Sequence, residues 1–173
     1  LVGNYEGTAS RYVTVLEGIQ DAVGPDTRVL YAQGCHLYKD RTSGLAQADD
    51  RISEAKAVCA AVDVIVAVVG LDATIEGEEG DAGNEYGSGD KPNLHLPGLQ
   101  QHLLETAASF GKPLIVVTLA GSALALDWAE EHTAAVVHGS YPGALGGWAL
   151  AQLIFGLSDF SGRLPVTFYS EQN

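Results

Sequence analysis

The sequence predicts an α/β fold: a three-layer sandwich with helices on both faces of a mostly parallel sheet of about five to six strands. Three observations carry this. Short β-branched runs alternate with segments of helical periodicity, the pattern of right-handed βαβ crossovers. The runs are continuously apolar rather than alternating, as in strands buried on both faces. Each run ends in a Gly-containing loop, at Gly34, Gly70, Gly121 and Gly139. In sheets of this kind the functional loops gather at the carboxyl ends of the strands.

In chain order, Thr14 to Val23 places Val15, Leu16, Ile19 and Val23 on one helical face. Arg28 to Ala32 reads as a strand. Gln47 to Val62 carries Ile52, Ala55, Val58 and Cys59 at helical spacing. Val64 to Val69 is the clearest strand. After Pro97, Gly98 to Phe110 presents Leu99, Leu103, Leu104 and Ala107 on a helix. Leu114 to Leu119 and Ala134 to Val137 are two more strands. Gly146 to Phe155 closes the pattern as a helix bearing Trp148, Ala149, Leu153 and Ile154.

The 173 residues fit one domain with a real core. A hydrophobic share of 46% against a charged share of 18% excludes a disordered chain. The net charge of −13 argues against nucleic acid and against an anionic membrane surface, since both require clustered Lys and Arg. The longest apolar stretch, Val64 to Leu71, is far short of the roughly 20 residues of a membrane helix. Cys35 and Cys59 read as buried thiols and assign no compartment. No signal peptide is visible and the chain opens on Leu1, so cytoplasmic and secreted locations both stay open. A homo-oligomer is compatible with the sequence.

The acid is concentrated. Asp72, Glu76, Glu78, Glu79, Asp81, Glu85 and Asp90 lie within 19 residues that hold no Lys or Arg. This segment is the loop after the Val64–Val69 strand, where a ligand would sit in such a fold. It runs to about Leu96, which is long for a compact α/β domain, and loops of that length are usually functional or disordered. Gly77, Gly80, Gly83, Gly87 and Gly89 allow it to turn and move. Three readings of the loop compete. One is a solvated acidic surface. A second is a cation site using Asp81, Asn84, Glu85 and Asp90, although their spacing is not that of an EF-hand. The third is acid/base chemistry, because crowded carboxylates favour a protonated member that acts as a general acid.

Five motifs in order resemble the second domain of glycoside hydrolase family 3. They are the run from Gly70 through Glu76 to Glu79; Ser88 through Asp90-Lys91 to Gln100; Leu114 through Gly121 to Ser122; Ser140-Tyr141-Pro142-Gly143 with Gly146-Gly147; and Phe155-Gly156 with Ser161 to Phe168. The opening from Leu1 to Ser10 and the Ile75–Glu79 segment look most like the β-xylosidase branch. That resemblance implies a retaining β-glycosidase, a β-xylosidase first and a β-glucosidase next, acting on terminal β-linked xylo- or gluco-oligosaccharides without a metal or organic cofactor.

It further implies that Glu76 is the general acid/base, with Glu78 and Glu79 as fallbacks. Asp72, Tyr86, Asp90, Lys91 and Tyr141 become candidate substrate-binding residues; for Asp72, anchoring its own loop is the competing role. The nucleophilic Asp of the family lies on a (β/α)8 barrel of about 250 residues, which 173 residues cannot hold. The expectation is therefore a single domain, residues 1–173, from a longer enzyme with an N-terminal barrel and in some relatives a following fibronectin-like domain, inactive alone. Two departures bear on sugar preference: the family's Asp-Arg is Asp90-Lys91 here, and the segment Asp81 to Gly89 is long. A non-catalytic carbohydrate-binding or docking module with the same fold is the alternative; a nucleotide binder lacks a phosphate cradle.

Several other residues read as structural. Trp128 and Trp148 sit in helical contexts and are expected to pack in the core. His36 and His138 are expected to be satisfied structural histidines. Ser122 has no partnered His in any recognisable motif, which argues against a serine hydrolase.

Overall fold

A computed structural model describes residues 1–41, 45–47, 49–78 and 91–170. Its elements are α1 (Val15–Ala22), α2 (Asp50–Ala61), β1 (Ile65–Gly70), α3 (Gln100–Ala108), β2 (Leu114–Leu119), α4 (Asp127–His132), β3 (Ala135–His138) and α5 (Gly146–Ile154). The three strands form one parallel sheet in the order β1-β2-β3. Ile65 pairs with Leu114 and Gly70 with Leu119; Ile115 pairs with Ala135 and Thr118 with His138.

Because side chains alternate across a strand, the two sheet faces feed two separate cores. On one, Ile65, Val69, Leu114 and Val116 pack with Cys59, Leu104, Ala107 and Ala129 of α2, α3 and α4. On the other, Val117 and Val137 pack with Val15 of α1 and Leu150 of α5. The expected three-layer α/β/α arrangement is therefore present. Thr14 starts α1 by accepting a hydrogen bond from the Glu17 N–H at 3.1 Å. At the meeting of α1 and α5, a Cβ on Gly147 would fall 2.0 Å from the Thr14 carbonyl oxygen and one on Gly18 would fall 2.2 Å from that of Gly147. Part of the Gly146-Gly147 motif thus serves backbone-to-backbone helix packing.

The strand count is corrected: the described residues contain three strands, not five to six. Arg28–Ala32 makes no ladder, and Tyr31 is exposed. The chain reaches the free edge of β1 further on, at Leu37, but there it is bonded through a side chain and not as a strand. β1 is consequently an edge strand with one well-buried face, and Val68 is exposed. The apolar run that suggested burial on both faces is well covered on one only.

Two further expectations change. The short helix α4 was not among the predicted elements, although Trp128, which it carries, was placed in a helical context; that ring stacks on His132 with centroids 4.9 Å apart. Trp148 is 52% exposed on α5, against the expectation of core packing; α5 buries Gly146, Gly147, Leu150 and Ala151 instead, and Trp148 falls on the opposite face. Cys59 is buried as expected. Cys35 is half-buried, and burial pushes its thiol up to about 11. Among the described residues, no helix is long and apolar enough to cross a membrane.

Candidate active site

A parallel sheet delivers all its strand exits to one end. The loops opening at Leu71, Ala120 and Gly139 therefore converge. Gly70 sets the direction of the first. Its φ is +136°, and a Cβ there would lie 2.0 Å from the Leu119 carbonyl oxygen, so only glycine fits. Gln100, 2% exposed, fixes this turn with one amide group. Its Oε1 accepts from the Gly70 N–H at 2.6 Å, and its Nε2 donates to the Gly70 carbonyl at 2.8 Å and to the Leu37 carbonyl at 2.7 Å.

The chain then makes one tight turn. The Asp72 carbonyl accepts from the N–H groups of Ile75 and Glu76, both at 3.0 Å. The Asp72 carboxylate accepts from the Thr74 N–H at 2.9 Å and hydroxyl at 2.6 Å. The Asp72 carboxylate thus anchors its own loop, one of its two candidate roles. Ile75, 2% exposed, plugs the turn into the core.

Glu76 emerges half-buried over the other two loops. Its Oε2 accepts from the Gly121 N–H at 2.8 Å and from the Tyr141 hydroxyl, and its Oε1 accepts from the Ser122 hydroxyl. One donor set comes from the loop after β2 and the other from the loop after β3. Burial, together with this carboxylate, pushes the Tyr141 phenol far above its ordinary value, so it remains a donor.

Lys91, where the chain is again described, returns to the same place: its ammonium donates to the Ala123 carbonyl. Burial lowers Lys91 below its ordinary value, with the Glu76 charge acting against that. The Ala125 N–H donates to the Leu94 carbonyl at 2.8 Å, extending the dock. Both stems of the acidic segment are thus tied to residues 121–125.

His138 closes the site's floor. Its Nδ1 is hydrogen-bonded to the fully buried Thr118 hydroxyl at 2.9 Å, and its ring meets Phe168 edge-on at 4.9 Å. Burial lowers the imidazole below its ordinary 6.5, opposed by Glu76. The native state therefore binds this proton less readily than the unfolded chain. Stability from this group is present above about pH 6.5 and is lost as pH falls through it. Urea unfolding at about pH 7.5 and about pH 5.5 should show a larger drop in the parent than in His138→Gln; equal drops would refute the assignment. His36 is structural, its Nδ1 accepting from the N–H groups of Tyr38 and Lys39.

Of the predicted site residues, Glu76, Tyr141, Lys91 and Asp72 come together at this end of the sheet. Glu78 is exposed. Glu79, Tyr86 and Asp90 lie outside the described residues, as do Asp81, Asn84 and Glu85 of the cation reading. Among the described residues no group of three His, Cys, Asp or Glu is placed to hold a metal. Sequence reasoning passed over Ser122, weighed only as a nucleophile, and Gln100, seen only as a motif residue. Ser122 carried a positional signal, lying just past the end of β2, whereas Gln100, at the start of α3, carried none.

The profile of the glycosyl hydrolase family 3 C-terminal domain matches residues 1–173. The chain belongs to this family. A β-xylosidase/α-L-arabinofuranosidase of Medicago sativa subsp. varia is 34% identical to the family 3 domain over 174 residues, covering 99% of it and 20% of the relative. A periplasmic β-glucosidase of Salmonella typhimurium is 32% identical over 94% of the domain and 22% of the relative. Among solved structures, an exo-β-xylosidase (XlnD) in complex with a xylobiose aziridine probe superposes with a TM-score of 0.74 at 32% identity, covering 90% of the domain and 18% of that chain. The domain thus spans about a fifth of the length of these relatives.

Proposed function

We propose that this family 3 domain is the second domain of a retaining β-glycosidase, a β-xylosidase in the first instance and a β-glucosidase next, and that Glu76 is its general acid/base. The observation that carries the reading is the seat of Glu76: a half-buried carboxylate at the carboxyl end of the sheet, oriented by donors from the loops after β2 and β3. An acid/base must be held in one geometry before substrate arrives, because misplacement by about 1 Å costs on the order of a hundredfold. The matched β-xylosidases and β-glucosidase support the reaction class.

In the first step, protonated Glu76 gives its proton to the glycosidic oxygen as the C1–O bond breaks, while an Asp carboxylate attacks C1 from the opposite face. In the second, ionised Glu76 takes a proton from water as the water oxygen attacks C1 and the Asp is released. The two carboxyl groups of a retaining enzyme stand about 5–5.5 Å apart. Within the domain, Asp72 is committed to its own turn. As the family resemblance implies, the nucleophile is assigned to an Asp on the barrel. The 173-residue chain alone should give no turnover of an aryl β-xyloside. Turnover that survives repurification and disappears with Glu76→Gln would overturn this division of labour. The acid/base role itself is tested by Glu76→Gln in the full-length enzyme.

A further inference from the structure

The hydrogen bonds to Glu76 are unequally shared between its two oxygens. Among the described residues, Oε2 accepts twice, from the Gly121 N–H and the Tyr141 hydroxyl, and Oε1 accepts once, from Ser122. An ionised carboxylate offers about four lone-pair directions, two on each oxygen. Oε2 is filled, and the open direction is on Oε1.

We infer that Oε1 is the oxygen that carries the transferable proton, and that Tyr141 and Ser122 are positioning residues that enforce this choice. The inference rests on the acid/base reading of Glu76. Tyr141, with the Gly121 N–H, closes Oε2 to protons. Ser122 fixes the rotation of the carboxyl group about its bond to the side chain, so that the open direction of Oε1 is always the same one.

The surroundings of Tyr141 agree. Its ring lies against the backbone of Gly3 and Gly121, where added Cβ atoms would come within 2.6 and 2.8 Å of it. The ring is thus packed within the protein, and its hydroxyl is used by Glu76. The preceding residue, Ser140, sits at φ +49°, a left-handed conformation that a non-glycine residue adopts only at an energetic cost. That strained residue lies at the bend that aims the phenol back across the sheet end.

The test uses the full-length enzyme and a series of aryl β-xylosides, from 2,4-dinitrophenyl, which leaves without help, to phenyl, which needs a proton. Tyr141→Phe keeps the ring and removes the donor. It should lower kcat/KM for the phenyl substrate by about a hundredfold and leave kcat/KM for the dinitrophenyl substrate nearly unchanged, because kcat/KM reports the glycosylation step, in which that leaving group needs no proton. Ser122→Ala should behave in the same way and leaves the aromatic packing intact, so it carries the test if Tyr141→Phe does not fold. In a Glu76→Gln background neither change should deepen the leaving-group dependence further. A loss equal across the series, or confined to KM, would overturn the inference. If Glu76→Gln steepens the dependence and neither partner does, the inference fails and the acid/base reading stands. If Glu76→Gln leaves the dependence unchanged, both fail.

Discussion

Glu76→Gln in the full-length enzyme lowers kcat on phenyl β-xyloside by about 10²–10⁴-fold, the usual contribution of a positioned general acid. The same change costs far less on 2,4-dinitrophenyl β-xyloside, whose leaving group departs without a proton. With that substrate, removal of the glycosyl group from the enzyme becomes limiting, because water no longer has a base. Azide needs none, so it should restore turnover and appear as a glycosyl azide. Gln keeps the shape and one acceptor oxygen for the Gly121 N–H and the Tyr141 hydroxyl, and the Ser122 hydroxyl can turn to accept from the amide N–H, so a folding defect is not the expected cause; thermal unfolding of the variant checks this. An equal loss on every substrate, with no azide rescue, would refute the acid role. The three donors on Glu76 would then be a latch between loops, and the same experiment on Glu78→Gln and Glu79→Gln would find the acid.

Gln100→Leu destabilises the domain by about 3–5 kcal/mol. The side chain is nearly the same size, so little apolar contact is lost. What is lost is every hydrogen bond of one buried amide, leaving the Gly70 N–H, the Gly70 carbonyl and the Leu37 carbonyl without it. A buried polar group left unpaired costs roughly 1–3 kcal/mol. Against a total stability of about 5–15 kcal/mol this is a large fraction. Urea unfolding at equilibrium measures it, and a loss below about 1 kcal/mol would refute the account. The damage should extend to catalysis, because Gly70 is where β1 turns toward Glu76.

Much of this was legible along the chain. The strands Val64–Val69, Leu114–Leu119 and Ala134–Val137 fall within a residue of those observed, because a β-branched run is a local signal. The helix starting at Thr14 was legible from its apolar face, and Thr14 caps it. Arg28–Ala32 carried a similar local signal and formed no strand, because pairing depends on what lies at the sheet edge and not on propensity. Trp148 misled for a related reason: helical spacing says which residues share a face, not which face is covered. The acidic segment was expected after a strand's carboxyl end, and its described start, residues 71–78, leaves β1 there.

The sequence by itself determined the α/β class, the family and Glu76 as the acid to examine. It could do so because periodicity, strand exits and ordered motifs are properties of neighbours along the chain. What Glu76 touches was decided by tertiary structure. Gly121, Ser122 and Tyr141 are 45, 46 and 65 residues away, and Gln100 is 30 residues from the Gly70 it holds. Those meetings are created by the register of three parallel strands, which brings their exits to one end. Tyr141, a candidate substrate contact in the sequence, donates its hydroxyl to the Glu76 carboxylate. Ser122, weighed in the sequence only as a nucleophile, donates to the other oxygen of the same carboxylate.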